Sequence, residues 1–190
     1  LLLAQGSVPP FHLWFLYYLL LIYAAAIPVR WLFARFVDAA GQRRAQLDVV
    51  VAAILRRPWA PLLMGVPFAI GLVLSQNWDP WLGIRTPDRS RWPGAPALGV
   101  YGLTFAFGWV LQRQPAVLNQ LGERWRGHLA VAVVTTLASL ALVGATPTYR
   151  PAPPGLRTLA FAVTYATAGW GWTFALLGAA VARFGDSRAS

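Results

Sequence analysis

The sequence predicts an all-α integral membrane protein, a polytopic bundle of about five transmembrane helices with one strongly basic side. Three observations carry that expectation. Of 190 residues, 57% are hydrophobic and only 12% are charged, about half the share of roughly 25% typical of soluble domains. Five segments are long and apolar, and a bilayer takes about 20 such residues per crossing. The charged side chains are mostly arginines, and they fall between those segments or toward their ends.

The first apolar segment runs from about Phe11 to Phe36, with Phe11, Trp14, Phe15, Tyr17 and Tyr18 at one end and Trp31, Phe33 and Phe36 at the other. Amphipathic rings prefer the headgroup level at both interfaces. A stripe of Leu47, Val50, Val51, Ile54 and Leu55 follows, between Arg43-Arg44 and Arg56-Arg57, as in a helix lying in the inner interface. The second span covers about 59–76 and the third about 96–111. Between them lie Asn77, Asp79, Pro80, Pro87, Pro93 and Gly94, a density of breakers that marks a loop. The fourth span covers about 128–145 and the fifth about 158–184, separated by Pro147, Pro151, Pro153 and Pro154. In the fifth, Ala168, Gly171, Ala175, Gly178 and Ala182 recur at steps of three and four. Small residues on one stripe let a neighbouring backbone approach closely, which places this helix inside the bundle. No strand-like alternation and no internal repeat occurs.

Arginine placement sets the orientation. With the N-terminus outside, eleven arginines fall inside, among them Arg30, Arg35, Arg43, Arg44, Arg56, Arg57, Arg113, Arg124 and Arg126. Only Arg85, Arg89, Arg91, Arg150 and Arg157 fall outside. The net charge of +10 therefore points to anionic lipid of the bilayer as partner rather than to nucleic acid. The chain starts Leu1-Leu2-Leu3 and ends in a short polar tail, and is read as a piece of a longer polytopic protein.

The absence of cysteine excludes disulfides, thiolate metal sites and cysteine nucleophiles. Phosphate-binding, dinucleotide-binding, serine-hydrolase and zinc-protease motifs are missing, and six acids with two histidines leave few groups for acid–base work. No metal site is expected. His12, at the outer mouth of the first helix, could accept a proton or bind a sugar hydroxyl; an interfacial histidine met by headgroups is the stronger reading. His128 reads as a juxtamembrane residue. The loop Asn77-Trp78-Asp79-Pro80-Trp81, continuing to Arg89-Ser90-Arg91-Trp92, suits either a carbohydrate or rest on the bilayer surface. Inner arginines such as Arg43, Arg44 and Arg113 could hold the phosphates of a cytosolic cofactor such as coenzyme A, although the positive-inside rule explains most of them.

The run His12-Leu13-Trp14-Phe15-Leu16 resembles the HLWFL signature of the membrane-bound acyltransferase-3 family, nearest its branch of glucan succinyltransferases. Looser similarities follow over Thr86-Pro87 and Tyr101 to Trp109, at Arg113 and Trp125, and over Tyr165, Trp170, Trp172-Thr173-Phe174 and Leu177-Gly178. The resemblance implies a bundle of about ten helices that transfers an acyl group, acetyl or succinyl, from acyl-CoA to a hydroxyl of an extracytoplasmic glycan at the bacterial inner membrane. In that frame His12, Trp14, Tyr18 and Trp109 would line the glycan acceptor side, and Arg43, Arg44 and Arg113 the donor side. The family's histidine-bearing first helix and its late SYW motif do not occur, so no catalytic residue is carried over, and the N- and C-terminal helices of the parent are missing. The alternative is a non-enzymatic membrane component such as a transporter subunit or scaffold, for which Pro67 with Gly65 and Gly71 gives a mild broken-helix signal.

Overall fold

A computed structural model describes residues 14–75, 78–81, 83, 94–147 and 153–185. These form six α-helices and no strand: α1 (Trp14–Leu32), α2 (Gln42–Leu55), α3 (Ala60–Leu74), α4 (Ala95–Leu111), α5 (Pro115–Val143) and α6 (Leu156–Phe184). One π-helical turn, Phe33–Val37, extends α1. Proline opens α3, α4 and α5 within their first two positions, where its missing N–H costs nothing.

The hub is α6. Phe174, Ala162, Ala175 and Ala166 are its most buried side chains, and it runs antiparallel to both α5 and α3. The small-residue stripe forms the seam with α5, and Ala166 and Thr167 form the seam with α3. A Cβ on Gly171 would lie 3.0 Å from the backbone of Ala132 in α5, one on Gly178 would lie 2.3 Å from the Leu121 carbonyl, and one on Gly65 of α3 would lie 3.1 Å from the Ala166 carbonyl carbon. Ala168, Gly171, Ala175 and Gly178 are buried as expected, whereas Ala182 at the end of the stripe is exposed. Aromatic rings fill the centre: Trp170 meets Phe107 of α4 edge-on at 4.8 Å and Phe68 of α3 at 5.9 Å. Packing between membrane helices rests on such close van der Waals contact, because lipid is as apolar as the side chains.

α1 lies outside this hub. It runs parallel to α4, with Tyr18 edge-on to Tyr101 and Tyr23 edge-on to Phe105, and only 6% of its apolar span is buried. α2 turns through 109° into α3, so it crosses the end of the bundle. Val51, Ala52 and Leu55 face the core, while Leu47 and Val50 are exposed. A helix is therefore present where the sequence placed one, but only Val51 and Leu55 of the expected stripe pack into the core.

Among the described residues two helices are long and apolar enough to cross a membrane, Leu16–Val37 and Pro115–Val143, or three if the bent α2–α3 pair is one span. α4 is apolar but has 17 residues, about 25 Å at 1.5 Å per residue. α6 has ample length at 29 residues, but Tyr165, Trp170, Trp172 and its glycines and threonines dilute the aliphatic content. The fourth span differs from expectation at its start: the helix begins at Pro115, not near 128. Residues 115–127 are charged enough to read as loop, yet Val117, Leu118 and Leu121 fall on one face and pack into the core, with Glu123, Arg124 and Arg126 exposed on the others.

Candidate functional site

Chain direction gathers one end of the bundle from the finish of α1, α4 and α6, the start of α3 and α5, and α2. Among the described residues this end carries ten arginines and three acids, Asp38, Asp48 and Glu123. Asp38 caps α2: its Oδ1 accepts from the Arg43 amide at 2.9 Å, and its Oδ2 accepts from the Arg44 amide at 3.1 Å and from Arg44 Nε at 2.8 Å. Burial pushes the Asp38 carboxyl up, but these hydrogen bonds and the Arg44 charge outweigh it and hold it below the usual carboxylate range. A carboxyl depressed in the folded state stabilises above its unfolded pKa, and that contribution is lost as pH falls through the folded value. We therefore expect the Arg43 and Arg44 amides to be protected at neutral pH, relative to the intrinsic exchange rate at that pH, and to lose this protection in acid. In Asp38→Asn the loss of protection should already appear at neutral pH, as read by hydrogen exchange.

Asp48 ties α2 to the α4–α5 corner, accepting from Arg113 Nη2 at 2.7 Å and Gln114 Nε2 at 3.5 Å. Arg124 of α5 donates from Nη1 to the Arg56 carbonyl. Of the three arginines expected to face a donor phosphate, Arg44 and Arg113 are thus in ion pairs with aspartates, and Arg43 makes no ion pair among the described residues.

The residues expected to line an acceptor site separate. His12 lies outside the described residues, and Trp14 begins α1. Tyr18 is buried at the far end of the α1–α4 seam. Trp109 lies at the basic end of the same seam, under the Arg30 guanidinium at 5.1 Å, a cation–π contact. Eight residues of helix between Tyr101 and Trp109 put these sites about 12 Å apart. His128 is buried in the α5–α6 seam: it is 3% exposed, edge-on to Phe174 at 5.4 Å, and its Nε2 has no hydrogen-bond partner among the described residues.

A concavity of about 520 Å³ lies between α3, α4, α5, α6 and the turn at 78–81, toward the end opposite the arginines. That turn is tucked into the bundle. Trp78 stacks on Phe161 at 5.6 Å, and Phe161 on Tyr165 at 5.5 Å. Gly83, at φ +65°, closes over Tyr165, whose Oη would be 2.6 Å from any Cβ there, and the left-handed backbone favours glycine. Of the loop residues read from sequence, Asn77, Arg89, Ser90, Arg91 and Trp92 lie outside the described residues.

The cavity wall is aromatic and hydroxylic, from Phe68, Trp81, Thr104, Thr136, Ser139 and Trp172 among others, and no charged side chain lines it among the described residues. Its hydroxyls donate to their own helices: Thr104 to the Val100 carbonyl at 3.0 Å, Thr136 to Ala132 at 2.7 Å, Ser139 to Thr135 at 2.8 Å and Thr173 to Gly169 at 2.8 Å. Trp172 Nε1 donates to Thr136 Oγ1 at 3.1 Å. The threonine and serine protons are thus committed, whereas Trp81 Nε1 and Trp170 Nε1 have no hydrogen-bond partner among the described residues, so the wall offers indole donors to a bound molecule. Among the described residues no cluster of His, Cys, Asp or Glu could hold a metal ion. The sequence signal for this site was the spacing of Thr136 and Ser139 on one α5 face, opposite Thr164 and Trp172 on α6; hydroxyls inside an apolar span must point at a backbone carbonyl or a neighbour.

No protein-family model matches the chain, and neither a curated protein nor a solved structure shows significant similarity to it.

Proposed function

We propose that this chain is the central part of an integral membrane O-acyltransferase that moves an acetyl or succinyl group from acyl-CoA to a hydroxyl of an extracytoplasmic glycan. In this reading α1, α3, α4, α5 and α6 are five crossings of a bundle of about ten helices in the bacterial inner membrane, with the N-terminus of the chain outside and the C-terminus in the cytoplasm. The observation that supports it is polarity along the bundle. An arginine-rich end suited to a phosphate-bearing donor lies opposite an uncharged, aromatic and hydroxyl-lined cavity, with the Phe107–Trp170–Phe174 cluster between them. The resemblance of His12 to Leu16 supplies the reaction class, and the catalytic group belongs to helices outside this chain.

In the full-length protein, Trp14→Ala is expected to lower acyl incorporation into glycan about tenfold, the effect of losing about 1.4 kcal/mol of positioning, at unchanged membrane abundance. Full incorporation in that variant would remove the role of this motif. The rival reading, a transporter subunit or scaffold, draws less from the bundle. α3 is continuous through Pro67, and Gly65 and Gly71 are taken up by contacts with Ala166 and Val100. Substrate flux in vesicles without acyl transfer would favour it.

A further inference from the structure

A second groove, about 450 Å³, runs along the bundle surface between the parallel helices α3 and α5, with α6 as its floor. Pro58, Trp59, Leu62, Val131 and Val163 line it. The hydroxyls in its wall donate to their own helices, Thr135 to the Val131 carbonyl and Thr167 to the Val163 carbonyl, each at 2.7 Å, so the groove offers no free donor and suits hydrocarbon. It opens at the α2–α3 elbow, where Trp59 is half exposed. Arg56 and Arg57 flank that mouth, are exposed and make no ion pair among the described residues. Arg124 reaches the same place through the Arg56 carbonyl and lies on the α5 face of Val131, seven residues or about 10 Å away. Of the three acids at this end, Asp38 and Asp48 hold Arg44 and Arg113, and Glu123 is exposed and makes no ion pair among the described residues.

We infer that this groove and its three guanidinium groups form a site for one anionic phospholipid, the phosphate at Arg56, Arg57 and Arg124 and the first part of one acyl chain between α3 and α5. Guanidinium groups hold phosphate by paired, charge-assisted hydrogen bonds, and a tryptophan at this level marks the interface. The site rests on the reading that the bundle is embedded in a bilayer with its basic end at one leaflet.

The test is native mass spectrometry of the whole chain released from nanodiscs of phosphatidylcholine and phosphatidylglycerol in equal amounts. The wild type is expected to retain phosphatidylglycerol selectively. Arg56→Gln with Arg57→Gln, which keeps the backbone carbonyl that Arg124 uses, should lower that retention about tenfold, the effect of about 1.4 kcal/mol. Arg126→Gln with Arg183→Gln is the control: it removes the same two charges from the same end of the bundle, one from a side chain that lies over Trp125 at 5.4 Å and one from the last turn of α6, and should retain lipid as the wild type does. Val131→Trp should fill the groove and lower retention without changing charge. Equal losses in the control and the Arg56 and Arg57 variant, no loss in the Arg56 and Arg57 variant, no loss in the groove-filled variant, or displacement of the lipid by free glycerol phosphate would each overturn the site. Extraction of the wild-type chain from membranes by alkaline carbonate would instead sink the embedding on which it rests.

Discussion

Gly178→Leu is expected to pull α6 away from α5 and to cost about 3 kcal/mol or more, since overpacking that moves backbone exceeds the usual 1–3 kcal/mol. The reason is geometric. The first added carbon alone would stand 2.3 Å from the Leu121 carbonyl oxygen and 2.9 Å from Trp125 Cβ, and neither a backbone oxygen nor a β-carbon can swing aside. Gly169 of the same helix has nothing within 4 Å of such a carbon, so Gly169→Ala should be neutral or stabilising by up to about 1 kcal/mol through helix propensity. Unfolding midpoints in detergent, measured on both variants, check the contrast. Equal behaviour would mean that the α5–α6 seam is not where the fold is held.

The stripe behind this prediction was legible in the sequence, because steps of three and four place Gly171, Ala175 and Gly178 on one face whatever the partner is. The partner was not legible: periodicity names a face but not the helix that meets it. The same limit explains α5. Reading apolar content alone placed its start near 128, whereas Val117, Leu118 and Leu121 carry the helix back to Pro115 by periodicity among charged neighbours. His128 changes character with that extension, from the edge of a span to the interior of a helix pair. The basic end was visible as composition, but the pairing of Arg44 with Asp38 and of Arg113 with Asp48 was not, since the second joins residues 65 positions apart. The cavity was the least visible feature. Its wall takes one residue each from α3 and α4, several from α5 and α6, and two from a turn, and Tyr18 and Trp109, both chosen from sequence for an acceptor side, lie at opposite ends of one seam.

Phe174→Ala is the second large effect. Phe174 is fully buried and joins Phe107 at 5.7 Å, Trp170 at 5.6 Å and His128 at 5.4 Å, so its loss opens a void that rigid neighbouring backbones cannot close. Phenylalanine-to-alanine changes cost about 3–5 kcal/mol in water-soluble cores. The low end, about 3 kcal/mol, is expected here because a ring released into lipid loses packing but not the apolar surroundings. Equilibrium unfolding in mixed micelles reads it, with Phe184→Ala as the comparison. Phe184 is 72% exposed at the end of α6, and its removal should cost well under 1 kcal/mol.

The central claim is a membrane-embedded bundle with its arginines on the cytoplasmic side and its cavity toward the outside. The absence of cysteine makes single-cysteine labelling in intact cells its most direct measurement. Thr146→Cys, exposed after α5 at the cavity end, should react with a membrane-impermeant maleimide in intact cells. Gln42→Cys, exposed at the start of α2, should react only after the membrane is permeabilised. Labelling of both positions from the same side, or of Gln42→Cys alone in intact cells, would contradict it.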